Sequence, residues 1–280
     1  MSVSSVRSNF IEAAGLRTHY LECGKADAPP LLLIHGGGAG ANSRGNWLKT
    51  LPAFAGEHRV FAMDMVGFGE TEKPDPASFE YSQTNRNAHL TSFIEALGLG
   101  ALPIVGNSMG GATALGVAMA RPDLVSTLVL MGSAGLNVEI TPALAPILRY
   151  DFTPEGMRRL VNGLTGSRFE ATDEMVRTRY EESIQPAHRT AYESTMAWIG
   201  RQGGLFYREE DIAKVKTQAL VVNGKEDQVV PLSCAYRFLD LLENSRGYIV
   251  PHCGHWVMME APDEFAAIVL HYLRNAGRTS

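Results

Sequence analysis

The stretch Leu102-Pro103-Ile104-Val105-Gly106-Asn107-Ser108-Met109-Gly110-Gly111 decides how this chain is read. A short apolar block runs into a serine set between glycines, and the helix-compatible residues 112–120 follow at once. The pattern is G-x-S-x-G between a strand and a helix, a sharp turn that lifts a serine hydroxyl above the end of a sheet. Glycine is needed at 106 and 110 because side chains there would strike the neighbouring strand and helix. A glycine-rich turn with a surface serine matches the same short pattern, so its partners must be sought.

A serine hydroxyl is a poor nucleophile near neutral pH; an imidazole must take its proton and a carboxylate must orient that imidazole. Candidates for both follow in the chain. Asp227 stands just past the apolar run 219–222, in Gly224-Lys225-Glu226-Asp227-Gln228-Val229-Val230-Pro231, where the C-terminal edge of a strand would place it. His255 stands past the last apolar run, in Pro251-His252-Cys253-Gly254-His255-Trp256. Glu226 and His252 are the rivals. Asp227 is preferred because it leads into the Val-Val-Pro that carries the chain away, and His255 because the glycine before it lets the loop approach the serine. His252 and His255 lack a third ligand of the HExxH kind, so no metal is expected. The order Ser108, Asp227, His255 is that of the α/β-hydrolase fold and unlike either common protease order.

Working outward, residues 9–22 read as a hairpin turning at Gly15, an antiparallel edge. Residues 31–34 form a continuous apolar run, as a strand buried on both faces should, and similar runs follow at 59–64, 102–106, 125–131, 218–223 and 247–250. Between them, Leu90, Phe93, Ile94 and Leu97 closed by Gly98, and Phe265, Ile268, Val269 and Tyr272 opened by Pro262, have helical spacing. Alternation of this kind predicts a mostly parallel, twisted sheet with helices on both faces. It breaks after Met131. Residues 135–211 hold helix-like segments and no convincing strand, and about 75 residues is far beyond an ordinary connection. They are read as an inserted helical lid, which divides the core into 1–134 and 212–280.

His35-Gly36-Gly37-Gly38-Ala39-Gly40 follows a strand and superficially resembles a nucleotide loop, but no Lys-Ser or Lys-Thr follows and Ala41 stands where G-x-G-x-x-G needs its third glycine. It fits the HGGG-type loop instead, with backbone N–H groups of Gly37 and Met109 as the oxyanion donors. Asp64, ending another strand, is read as a loop-forming hydrogen-bond acceptor outside the site.

Composition excludes several other classes. A formal net charge of −5 without long runs of one sign leaves no footprint for nucleic acid or an anionic membrane. The first ten residues lack the apolar core of a secretory signal and no stretch is long enough to span a bilayer, so a cytoplasmic protein is expected. Cys23, Cys234 and Cys253 form no CxxC pair and are expected as free buried thiols.

At 35–40, 106–111 and 254–256 the chain resembles the meta-cleavage product hydrolases, which hydrolyse carbon–carbon bonds in bacterial aromatic degradation. The strings Gly-Asn-Ser-Met-Gly-Gly-Ala-Thr (106–113), Leu-Met-Gly-Ser-Ala-Gly-Leu (130–136), Gly-Gly-Leu-Phe-Tyr (203–207) and Pro-His-Cys-Gly-His-Trp (251–256) carry the likeness, which spans about 10–274. It is greater to members acting on carbazole and alkylbenzene products than to the biphenyl branch. The resemblance implies hydrolysis of a 2-hydroxy-6-oxohexa-2,4-dienoate to 2-hydroxypenta-2,4-dienoate and a carboxylic acid, without a cofactor, in a homodimer. It also implies substrate-binding roles for Gly36, Gly38, Asn46, Asn107 and Trp256, and for Arg179, which would grip the substrate carboxylate. A carboxylesterase or lactonase would carry the same triad without needing Arg179 or Asn46. The C6 substituent stays open at this point.

Overall fold

The computed structural model describes residues 6–137 and 142–276. Its strands are β1 (Arg7–Ala13), β2 (Leu16–Cys23), β3 (Pro30–Ile34), β4 (Arg59–Met63), β5 (Leu102–Asn107), β6 (Val125–Met131), β7 (Leu136–Asn137), β8 (Leu205–Phe206), β9 (Gln218–Gly224) and β10 (Ser245–Val250). Eight of them form one sheet in the order β1-β2-β4-β3-β5-β6-β9-β10. From β4 to β10 every neighbour is parallel; β1 pairs antiparallel with β2, and β2 with β4. The hairpin turns through Ala14 and Gly15, both at positive φ.

The apolar runs become central strands because consecutive side chains find cover on both sides. Leu31 to Ile34, and Leu128 to Met131, are all fully buried. Helix Gln83–Leu97 is capped by Ser82, whose Oγ accepts from Asn85 N–H, and stops at Gly98 in the left-handed region (φ 64°). Helix Pro262–Asn275 begins on its proline, as its sequence implies. Strand ends differ from the sequence reading by one or two residues: β4 stops at Met63, leaving Asp64 in the following loop, β1, β3 and β10 begin earlier than the apolar pattern does, and β2, β5 and β9 each run one residue further.

Between β6 and β9 lie helices Ala145–Leu148, Pro154–Leu164, Asp173–Ser183 and Pro186–Gln202. Residues 138–141 of the segment read as a lid fall outside the described residues. The expectation of no strand in this segment is corrected: β7 and β8 pair antiparallel, and Gly135 both donates to Leu205 O (3.0 Å) and accepts from Tyr207 N–H (2.9 Å). Pairs two residues long leave no periodicity to read, but they draw the two ends of the insertion together. Met157, Leu160, Val161 and Leu164 of the insertion share one buried apolar cluster with the sheet. Cys23 and Cys253 are free and buried; Cys234, free on the first turn of helix Leu232–Leu241, is only half-buried, contrary to the sequence reading. Among the described residues no helix is long and apolar enough to cross a membrane, and no group of three metal-ligating side chains gathers.

Candidate active site

Ser108 joins β5 to helix Met109–Ala120 with φ 55° and ψ −118°, a conformation an L-residue avoids at a cost of about 1–3 kcal/mol. The surroundings enforce it. Ser108 N–H donates to Met131 O (3.1 Å) at the end of β6, and Ser108 O accepts from the N–H groups of Ala112 (3.0 Å) and Ala134 (3.1 Å). A Cβ on Gly106 would lie 2.6 Å from Gly111 Cα, and one on Gly110 would lie 2.4 Å from His35 O and 2.6 Å from Ile34 O. Both glycines are required by backbone packed on either side of the bend, as their positions in the sequence imply.

Asp227 and His255 meet from loops after β9 and β10. His255 Nδ1–H donates to Asp227 Oδ2 at 2.8 Å, and both side chains are almost wholly buried. The other carboxylate oxygen accepts from Val229 N–H and Val230 N–H, each at 2.9 Å, so the Val-Val turn immobilises the acid. With Nδ1 as the donor, His255 keeps Nε2 free to accept a proton. The rivals do different work: Glu226 accepts from the N–H (2.7 Å) and hydroxyl (3.1 Å) of Ser167, and half-exposed His252 lies 3.5 Å from Glu226. Gly254 is held to glycine by the insertion. A Cβ there would lie 2.6 Å from Gly166 N and 2.6 Å from Thr165 C, so what demands the glycine is the insertion pressed against the histidine loop, rather than the approach to the serine.

The glycine-rich loop is anchored by His35. Its Nδ1–H donates to Gly36 O (2.7 Å) and its Nε2 accepts from Met65 N–H (3.0 Å); burial holds its pKa below the usual imidazole range, so it stays neutral in both roles. A Cβ on Gly36 would lie 2.7 Å from Asn107 Oδ1, one on Gly37 would lie 2.5 Å from the Met109 side chain, and one on Gly38 would lie 3.3 Å from Arg179 Nη2. The loop thus lies flat against the elbow on one side and against the insertion on the other. Met109 opens its helix, so its N–H has no intrahelical acceptor and sits at the positive end of the helix dipole. Asp64, in agreement with its sequence reading, accepts from Ser43 N–H (2.6 Å), Glu70 N–H (3.0 Å) and His19 Nδ1–H (2.7 Å), away from Ser108.

A cavity brings the candidates together: Gly36, Gly37, Gly38, Asn46, Asn107, Ser108, Met109, Arg179, His255 and Trp256 all line it, and Asp227 stands behind His255. Asn46 Nδ2 donates to Asn107 Oδ1 (3.3 Å), and Asn107 Nδ2 donates to Met131 O (3.1 Å). Arg179, on helix Asp173–Ser183, is 5% exposed. Its Nη2 donates to Ala39 O (3.0 Å), its guanidinium lies 4.7 Å from the Trp256 ring, and its buried Nε finds no acceptor among the described residues. Burial pushes its pKa down to about 10, with Tyr192 and Tyr150 opposing the shift and no carboxylate contributing among the described residues. The remaining wall is apolar, with Ile147, Leu148, Leu164, Met196, Ile199 and Val230 prominent. Sequence reasoning missed these residues; the apolar stripe of helix Pro154–Leu164 marks it as buried but does not say that Leu164 faces a cavity rather than the core.

A serine on a strained elbow, a carboxylate-oriented histidine and a parallel sheet define an α/β hydrolase, and a model of the alpha/beta hydrolase fold family matches residues 29–262. Within that class the chain belongs to the meta-cleavage product hydrolases. It is 54% identical, over 97% of its own length and 92% of the relative's, to the 2-hydroxy-6-oxo-6-(2'-aminophenyl)hexa-2,4-dienoic acid hydrolase of Metapseudomonas resinovorans. Among solved structures, a serine hydrolase involved in carbazole degradation superposes with a TM-score of 0.88 at 51% identity, over 96% of this chain and 99% of that one. A meta-cleavage product hydrolase from Pseudomonas fluorescens superposes at 0.89 with 35% identity, over 96% and 98% of the two chains.

Proposed function

We propose that this enzyme hydrolyses the C5–C6 bond of 2-hydroxy-6-oxohexa-2,4-dienoates, with Ser108 as nucleophile, His255 as proton carrier and Asp227 as its orienting acid. The observation that carries the reading is Arg179, a buried guanidinium with no carboxylate beside it among the described residues, in the same cavity as Ser108 and His255. A buried, unpaired cation calls for an anion from the ligand. An ester with an uncharged acyl group supplies none; a dienoate does.

In this reading the substrate carboxylate pairs with Arg179, while Asn46 and Asn107 bind the polar dienol end. The dienol ketonises as a proton leaves its 2-hydroxyl and one is delivered to C5. Ser108 Oγ, giving its proton to His255, attacks the C6 carbonyl, and the oxyanion is held by the N–H groups of Gly37 and Met109. Cleavage of C5–C6 leaves its electron pair on C5, delocalised into the 2-oxo group, and protonation yields 2-hydroxypenta-2,4-dienoate. Water activated by His255 then releases the acid from acyl-Ser108. No cofactor enters the balance. The apolar wall suits an aryl or alkyl C6 substituent. We assign residues 135–211 to a lid over a core made of 1–134 and 212–280, and read the protein as a cytoplasmic homodimer on family likeness. Sedimentation equilibrium at one monomer mass would reject the dimer.

The test mixes the protein with 2-hydroxy-6-oxo-6-phenylhexa-2,4-dienoate and follows the yellow dienolate absorbance, with p-nitrophenyl acetate in parallel. Rapid decay to benzoate and the pentadienoate with slow ester cleavage is expected. Fast ester turnover and no decay with phenyl or methyl dienoates would establish the esterase reading instead.

A further inference from the structure

Besides Asp227, a second carboxylate serves the histidine loop. Glu260 closes the short helix Val257–Glu260, and its side chain accepts four contacts from three backbone N–H groups. Oε1 accepts from Gly254 (3.1 Å) and Trp256 (3.2 Å), the residues on either side of His255; Oε2 accepts from Gly254 (3.0 Å) and from Gly166 of the insertion (2.8 Å). The peptide N–H of His255 itself donates to Leu164 O (2.7 Å). Three successive backbone N–H groups are therefore spoken for, two by one carboxylate and one by the insertion. Burial pushes the Glu260 carboxyl up, and the three backbone N–H groups oppose that shift.

We propose that Glu260 is a positioning residue for His255. Its carboxylate clamps the main chain before and after the histidine and ties both to Gly166, so the imidazole is held in register with Ser108 while the insertion is docked. Asp227 sets the rotation of the ring; Glu260 sets where the loop that bears it lies. The chemistry of the clamp requires both oxygens as acceptors. Glutamine in its place would keep the shape but turn an NH₂ group toward one of the peptide N–H donors, loosening the loop without emptying the space. A displacement of about 1 Å at a reacting group can cost on the order of a hundredfold in rate.

The proposal rests on His255 being the base for Ser108 and not on which acyl substrate is used, so it can be tested with dienoate or with p-nitrophenyl acetate. Glu260→Gln and Glu260→Ala are assayed beside His255→Ala, well below their melting temperatures and per folded molecule. The expected result is a kcat lowered roughly 10- to 100-fold, less in the glutamine variant than in the alanine one, with KM within about twofold of the parent. Dienoate affinity of the Ser108→Ala protein should be unchanged by adding Glu260→Gln. A parent kcat in Glu260→Gln, whatever its melting temperature, would reduce Glu260 to a structural tie and overturn the proposal. So would a loss carried by KM alone. Turnover surviving in His255→Ala would instead remove the base assignment beneath it.

Discussion

At Arg179, burial leaves a guanidinium with, among the described residues, one carbonyl acceptor and the Trp256 ring for company. Removing it in Arg179→Ala should cost about 2–3 kcal/mol of dienoate binding, a rise of roughly 30- to 150-fold in KM with a much smaller change in kcat. Arg179→Lys should recover little of this, since a point charge does not reproduce a planar fork. Unchanged steady-state kinetics would remove the carboxylate clamp. Ser108→Ala should abolish turnover yet still bind the dienoate, visible as a perturbed dienolate spectrum; residual parent-like turnover would exclude Ser108 as nucleophile. Ser108 could be assigned its role from its motif position before any coordinates, whereas that of Arg179 was only implied by the family resemblance. The fit of Gly110 could not be given a distance. With 2.4 Å between a Cβ there and His35 O, the requirement for glycine becomes steric and specific.

Helix Gln83–Leu97 carries His89, buried behind the loop that follows β4. Its Nδ1 accepts from Val66 N–H (3.2 Å), so Nε2–H donates to Thr18 Oγ1 (2.7 Å), whose hydroxyl in turn reaches Leu16 O (3.1 Å). Burial pushes its pKa down to about 4, whereas an imidazole in the unfolded chain titrates near 6.5. Between those values the unfolded chain binds a proton that the folded protein refuses. Stability from this group is therefore full above about pH 6.5 and falls as pH drops, by about 2 kcal/mol at pH 5. His35 shifts in the same direction. Urea midpoints measured at pH 7.5 and 5 should show that loss in the parent and a shallower one in His89→Gln; equal slopes would place the titration elsewhere. The helix itself was visible from its apolar spacing and Gly98. The histidine relay was not, because its partners on β2 and beyond β4 are brought together only by the sheet.

Across the whole molecule the insertion is built into the core. Its apolar residues join the sheet's cluster, β7 and β8 pair its ends, Leu164 and Ser167 bond directly to the loops bearing His255 and Asp227, and Gly166 bonds to Glu260. The two parts should unfold together. In a variant retaining only Trp198, within the insertion, with Trp47→Phe and Trp256→Phe, tryptophan fluorescence and far-UV circular dichroism should be lost at the same urea concentration. A fluorescence transition well ahead of the circular dichroism would show a separately melting lid.

The strand runs, the Ser-Asp-His order and the glycine positions could be read from the chain alone, because each rests on local sterics or on a periodicity spanning a few residues. The apolar cavity wall, the reason for Gly254 and the work of Glu226 and Glu260 came from tertiary structure. Glu226, Gly254 and Glu260 each meet the insertion across some 60 to more than 90 residues of chain, with no pattern along the chain to announce it, although two of Glu260's three N–H partners are only four and six residues away. A carboxylate on a short helix looks like any solvated glutamate until the fold lays three peptide N–H groups against it.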